Sequence, residues 1–379
     1  MPKKTQILKS SWKTLSELTR REFKYLLFKP RNLLLFLTYG CTSRCKICTA
    51  WRRERHPGEL SLDEYKELID QIAPLGIEHV ELLGGEPLLR PEVLFGLIEH
   101  ITGYGIQKDL VTNCSLMDQA TAEKIACSGL DKIAMSIDGV GDVHDRVRGV
   151  PGFFDKAVKG VKYIIESRGK KKKPILVCNC TISKWNVHDF DEVLDFACNS
   201  GFDEAHFEYV GEFPPHSLEK SKIDELIPTP TYVWQESSVL VNTKEAEILK
   251  CKIEDIKRKA KKMDNLYVST KNIDSLSIDD LTRGIFPHKR CYVCRSLVTV
   301  DPYGNIVPCP FFNNYFLGNI KDEKFSALWN NSRHRRFVHL QANGELDMCR
   351  YCILSVERNP TFWESIAKAY RSFGDRYGE

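Results

Sequence analysis

Residues 33–48 read LLLFLTYGCTSRCKIC: a short, wholly apolar run, a turn, then three cysteines within eight residues. The apolar run has the length and composition of a buried strand, and the cysteines fall on the loop that leaves its C-terminal end. An odd number of thiols leaves one over from disulfide pairing. The chain carries no secretory signal, so its 14 cysteines point to a reducing, cytoplasmic setting in which thiols bind metals or do redox work.

Working outward from this strand, five more strand-like runs follow at 77–84, 106–112, 130–137, 174–182 and 202–210, separated by amphipathic, helix-length segments. The first helix opens at Ser61, with Glu64 as capping-box partner, and closes at Gly76. Parallel strands need such crossovers, so the pattern predicts an α/β fold: a partial (βα)6 TIM-like barrel over 33–212, of roughly 180 residues, followed by a small cysteine-rich β-hairpin/helix domain. In such a barrel the working loops lie at the C-terminal ends of the strands. The cysteine loop, GGEP at 84–87, TNC at 112–114 and SIDG at 136–139 all fall there.

The flanking segments are read as follows. Residues 1–32 form a basic amphipathic segment; 1–31 carry nine Lys and Arg against Glu17 and Glu22. It packs as a helix across the body or makes peripheral membrane contact. Residues 213–285 read as a mainly helical excursion or linker, 286–358 as a second cysteine-rich unit, and 359–379 as a terminal helix. No apolar run is long enough to span a bilayer. A net charge of +4 gives no reason to expect nucleic acid.

Cys41, Cys45 and Cys48, spaced C-x3-C-x2-C, leave one corner of a four-iron cube without a protein thiolate, the open position a catalytic metal site requires. In the second unit Cys291, Cys294, Cys309, Cys349 and Cys352 are ligand candidates. Cys294 and Cys309 flank two β-rich arms around a DPYGN turn, so a hairpin brings them together. Two C-x2-C pairs also suit a zinc ribbon.

CTSRCKIC, followed by LLGGEP and MSIDG, resembles the radical S-adenosylmethionine superfamily through about residues 33–210. The resemblance implies that the open iron is chelated by the amino and carboxylate groups of S-adenosylmethionine. An electron from the cluster then cleaves the sulfonium to give a 5′-deoxyadenosyl radical that abstracts hydrogen from an unactivated C–H bond. It further implies that Gly84, Gly85 and Glu86 hold the methionine amino group, that Ser136 bonds the ribose or carboxylate, and that Arg148 pairs with the methionine carboxylate. Asn113 sits where relatives read TNG. Ile47 replaces the usual aromatic residue beside adenine, and Cys114 replaces the glycine after Asn113, either as a hydrogen-atom donor or as a small packing residue.

The C-terminal pattern of a cysteine, Gly304, Cys309, LGNI and C-x2-C resembles the SPASM/twitch extension, in the form that holds one auxiliary 4Fe-4S cluster. Either Cys291 or Cys294 satisfies its first position. The implied function is oxidation, epimerisation or crosslinking of a peptide, sugar or related metabolite, with reduced flavodoxin or ferredoxin as electron donor. Sulfatase maturation is disfavoured by Pro310, and molybdenum-cofactor cyclisation by the RYGE terminus. The alternative is a non-catalytic iron-sulfur or zinc protein for electron relay or partner binding.

Overall fold

A computed structural model describes residues 29–231, 237–263, 265–287 and 291–354. The expected N-terminal and C-terminal helices lie outside the described residues.

Six parallel strands form the centre of the molecule: β1 (Asn32–Phe36), β2 (His79–Leu83), β3 (Gln107–Thr112), β4 (Lys132–Ser136), β5 (Ile175–Ile182) and β6 (Glu204–Tyr209). They pair in sequence order, β1 to β6, each neighbour in parallel register. The helical crossovers include α1 (Leu62–Ile72), α2 (Pro91–Gly103), α3 (Gln119–Cys127), α4 (Asp142–Arg148), α5 (Phe153–Arg168) and α6 (Glu192–Ser200). α1 begins with the expected capping box: Ser61 Oγ accepts from Glu64 N–H, and the Glu64 carboxylate accepts from Ser61 N–H. Leu33, Leu35, Val80, Leu82, Leu110 and Ile133 are fully buried between strands and helices, the composition a covered parallel sheet requires.

The sheet does not close, and it is wider than six strands. β7 (Tyr267–Ser269) adds in parallel beyond β6, after helix α7 (Thr243–Ala260), so the 213–285 excursion contributes to the barrel sheet. On the other edge β8 (Leu297–Val300) pairs in parallel with β1. β8 forms a hairpin with β9 (Asn305–Val307), and β10 (Gly318–Asn319) completes one ten-stranded sheet. The hairpin of the cysteine-rich unit therefore grows from the barrel's own edge rather than standing apart from it. Its turn is held by Asp301, whose carboxylate accepts from the backbone N–H groups of Tyr303 and Asn305, both at 2.9 Å, with Gly304 at a φ of 94°. Among the described residues no helix is long and apolar enough to cross a membrane.

Candidate active site

The loop after β1 is fastened to the barrel rim at several points, and each fastening explains a motif. Gly85 N–H donates to Thr38 C=O and Glu86 N–H to Gly40 C=O, each at 2.7 Å. A Cβ on Gly85 would stand 2.0 Å from Gly40 O, and one on Gly84 2.5 Å from Thr38 O. The two glycines are therefore required by the approach of the cysteine-bearing loop itself. Gly85→Ala is expected to destabilise the apoprotein by about 3 kcal/mol or more, since the clash is with backbone that no rotamer change relieves. Thermal melting of the apoprotein checks this.

Glu86 is fully buried and does not border the cavity described below. Its carboxylate accepts from Thr112 Oγ1 (2.7 Å), Asn113 N–H (2.8 Å) and Leu88 N–H (3.1 Å). It thus holds the end of β3 against the end of β2. Burial raises its pKa, with the three donors opposing. Asn113 Nδ2 in turn donates to Thr42 Oγ1 at 3.1 Å and lies 3.8 Å from Cys41 Sγ. The Ser43 hydroxyl bridges Cys41 and Cys45, 3.2 Å from each sulfur.

Arg148, at the last turn of α4, is buried and forms an ion pair at 2.8 Å with Asp138, the fully buried aspartate of the SIDG sequence. Asp138 also accepts from Thr181 N–H at 3.0 Å. Arg148 NH1 lies 3.7 Å from Cys45 Sγ, and its C=O accepts from Arg44 N–H at 2.8 Å. Gly149 follows with a φ of 68°, where a Cβ would meet Arg44 O at 2.3 Å. Burial pushes the Cys45 thiol up, with the Arg148 charge opposing. Burial, then the neighbouring Cys45, pushes Cys48 up to about 12. These thiols stay protonated until a coordinating cation stabilises the thiolates.

Cys41, Cys45 and Cys48 border a cavity of about 320 Å³ at the C-terminal ends of the strands. Of the positions expected to bind cofactor, Ile47, Gly84, Gly85, Asn113, Ser136 and Arg148 share this cavity. The size lies in the range of small-molecule sites. Cys114 does not border it. That residue is fully buried at a φ of 62°, its carbonyl packed where a Cβ on Gly160 of α5 would come within 2.5 Å. The structure thus places Cys114 in the core, in the backbone conformation that glycine favours. Cys114→Ala is expected to shift the melting temperature by only a few degrees and to leave iron content unchanged, as colorimetric iron counting would register.

Several cavity residues escaped the sequence reading: Trp51, Glu81 on β2, Asn179, Cys180 and Thr181 on β5, and Glu208 on β6. The available signal was the alternation in ILVCNCTI, where polar Asn179 and Thr181 interrupt an apolar strand at period two. Asn179 Oδ1 is buried, borders the cavity and finds no hydrogen-bond donor among the described residues. Such an acceptor fits a ligand rich in hydroxyl and amino groups.

The second group is as compact. Cys291, Cys294, Cys309, Cys349 and Cys352 line one apolar cavity with Val293, Phe311, Phe337, Leu346, Met348 and Leu354. Burial pushes Cys309 up to about 12, and burial with the surrounding thiols also raises Cys349. Among the described residues no three His, Cys, Asp or Glu side chains stand close enough to hold a single metal ion. Zinc would draw its sulfurs to about 2.3 Å from one point. Thiols spread around a cavity instead suit a multi-iron cube, whose ligands attach at separate corners.

Comparison with known proteins adds the deciding observation: residues 35–197 match the sequence profile of the Radical SAM superfamily. Those residues form a Radical SAM domain. Residues 291–353 match the profile of SPASM, an iron-sulfur cluster-binding domain. Curated relatives include an AdoMet-dependent heme synthase of Methanosarcina barkeri, 27% identical, spanning 85% of this chain and 89% of the relative. A mycofactocin maturase of Mycobacterium tuberculosis is 26% identical over 86% of this chain and 78% of the relative. In fold, the chain resembles Streptococcus suis SuiB bound to S-adenosylmethionine, with a TM-score of 0.61 and 17% identity over 88% of this chain and 77% of that one. It also resembles anSMEcpe with bound AdoMet and Cp18Cys peptide, with a TM-score of 0.63 and 17% identity over 91% and 96%. A Radical SAM domain joined to an iron-sulfur-binding SPASM domain accordingly uses S-adenosylmethionine, the 4Fe-4S cluster that binds it, and an auxiliary 4Fe-4S cluster.

Proposed function

We propose that Cys41, Cys45 and Cys48 hold the S-adenosylmethionine-binding cluster and that the protein abstracts hydrogen from an unactivated C–H bond of a peptide, sugar or related metabolite. The observation that carries the reading is the shared cavity, where the three thiols meet the ends of β2, β3, β4 and β5. In this reading the bound S-adenosylmethionine supplies the 5′-deoxyadenosyl radical. The chain's own groups orient it: Ser136 and Asn179, register partners on β4 and β5, offer polar contacts to its ribose, and Ile47 packs beside its adenine. Arg148, already paired with Asp138, presents its remaining positive face to the methionine carboxylate.

Among oxidation, epimerisation and crosslinking, a thiol-filled auxiliary site favours net oxidation, because a substrate radical must lose an electron and the auxiliary cluster can accept it. Reduced flavodoxin or ferredoxin provides the initiating electron. The relatives named for heme synthesis and for mycofactocin maturation agree with radical chemistry. The test is anaerobic reconstitution followed by reduction with S-adenosylmethionine present. The expected result is 5′-deoxyadenosine and methionine in equal amounts; no cleavage in protein of full iron content would overturn the reading and favour an electron-relay protein.

A further inference from the structure

The cysteine loop and the segments beside it carry a patch of cations built on two indoles. The Arg44 guanidinium lies 5.2 Å, and that of Arg52 4.8 Å, from the centre of the Trp51 ring. Lys46 Nζ lies 3.8 Å, and Lys184 Nζ 4.9 Å, from the centre of the Trp185 ring, just beyond β5. Arg146 of α4 joins this second group, its Nε donating to Trp185 C=O at 3.1 Å. Arg44, Arg52 and Arg146 are exposed, and both indoles are half-buried. Arg146 also pairs with Asp189 at 3.6 Å; both side chains are solvated, so the pairing is screened.

The patch is preformed. Trp51 Nε1 donates to Cys45 C=O at 3.3 Å, and the Arg44 guanidinium donates to the Cys41 and Ser43 carbonyls at 3.0 and 2.8 Å. The N–H groups of Arg44 and Lys46 are held by the carbonyls of Arg148 and Val147, and Lys184 Nζ donates to Ser237 Oγ at 3.1 Å. Tryptophan and arginine on a prepared surface are the side chains that dominate binding energy at protein interfaces.

Charge complementarity calls for an anionic occupant, and the position of the patch sets its size. None of the five cations borders the cavity; of the seven side chains only Trp51 does. A small molecule in the cavity therefore meets one indole, whereas a protein seated outside meets the whole patch. Arg44 and Lys46 are also the chain neighbours of Cys45, so such a protein stands one residue from a thiol of the cluster loop. Electron transfer weakens steeply with distance, which makes this approach a short one.

We propose that Arg44, Lys46, Arg52, Arg146 and Lys184, with Trp51 and Trp185, form the docking surface for an acidic one-electron carrier protein. One electron leaves the reduced carrier and enters the oxidised cluster, and no bond is made or broken in that transfer. The inference rests on the reading that S-adenosylmethionine is cleaved reductively at this site.

The experiment compares full-length, reconstituted wild type with the double variants Arg52→Glu/Lys184→Glu and Arg52→Lys/Lys184→Arg. Formation of 5′-deoxyadenosine is followed with reduced flavodoxin and, separately, with saturating dithionite, each at low and high ionic strength. Binding of oxidised flavodoxin is measured by calorimetry. Charge reversal should lower the flavodoxin-driven rate and the calorimetric affinity about tenfold or more at low salt and flatten their salt dependence. The dithionite-driven rate should stay at the wild-type value, and the charge-retaining variant should match wild type throughout. A flavodoxin-driven rate unmoved by charge reversal, or no flavodoxin-driven turnover in wild type that dithionite does drive, would overturn the proposal. Equal losses with both reductants would also overturn it, by assigning the patch to an anionic substrate or to the cofactor. No cleavage with dithionite in wild type of full iron content would defeat the underlying reading, and the proposal with it.

Discussion

Replacing Cys45 by alanine is expected to halve the iron content, from about eight to about four per chain, and to abolish formation of 5′-deoxyadenosine. Cys45 is the thiol most enclosed by its loop: it meets the Ser43 hydroxyl, the Arg148 guanidinium and the Trp51 indole, which donates to its carbonyl at 3.3 Å. Two thiolates on this loop would leave two irons of the cube without protein ligands. The electron that cleaves the sulfonium would then have no cluster to come from. The rate loss should exceed about a thousandfold, since the uncatalysed step has no substitute among the chain's own groups. The auxiliary cavity lies outside the barrel mouth and shares none of its thiols, so its four irons should remain. Loss of both clusters from Cys45→Ala would contradict this separation.

The second large effect is expected at Arg148. Changing it to methionine keeps most of the side-chain volume and removes the charge that faces Asp138 at 2.8 Å. Breaking a buried pair in this way typically costs about 3–5 kcal/mol, because the remaining carboxylate is left uncompensated with only the Thr181 N–H beside it. Urea unfolding of the apoprotein should show a midpoint lowered accordingly, and Asp138→Asn in the same background should restore part of the loss. The pH dependence has a definite sign. Burial raises the Asp138 pKa even with Arg148 beside it. The native state therefore holds a proton that the unfolded chain, with a carboxyl near 3.9, has already released. Stability from this group is fully present below the unfolded pKa and is lost as pH rises through the folded one. Removing Arg148 pushes the folded value higher still and extends that loss toward neutrality. Arg148→Met should consequently gain stability relative to wild type as pH is lowered from neutrality into the acid range, and a constant difference between the two proteins would contradict the assignment.

The barrel was legible because its strands are apolar runs, as in β1, or polar–apolar alternations, as in β3 and β6, and five of the six lie inside the expected ranges while β1 begins one residue earlier, at Asn32. The edges were not. β7 is only the three residues Tyr267–Ser269, with Tyr267 about half exposed, so it carries neither a run nor an alternation. The pairing of Leu33 and Leu35 with Val298 and Val300 joins segments more than 260 residues apart, and nothing local in either segment announces the other.

At the site, the three cysteines stood out by type and spacing, and the motif positions that border the cavity came from the family resemblance. Their physical tasks did not. The GGEP glycines answer to the backbone of residues 38–40, Glu86 fastens β3 to β2, and Arg148 is committed first to Asp138. Each depends on which partner the fold brings within 3 Å, and sequence spacing is silent on that. For Cys114 the packing alternative of the sequence reading is the one the fold bears out: a thiol beside a cofactor motif in sequence, it packs into the core in space.

The account turns on one iron being open for S-adenosylmethionine beside Cys41, Cys45 and Cys48. The most direct measurement is EPR and electron–nuclear double resonance on the reduced, reconstituted protein with S-adenosylmethionine labelled with ¹⁵N and ¹⁷O at the methionine amino and carboxylate groups. The account predicts a changed cluster signal on addition and resolved hyperfine coupling to both labels, all lost in Cys45→Ala. A cluster signal indifferent to S-adenosylmethionine, or stoichiometric zinc in place of iron at this site, would contradict it.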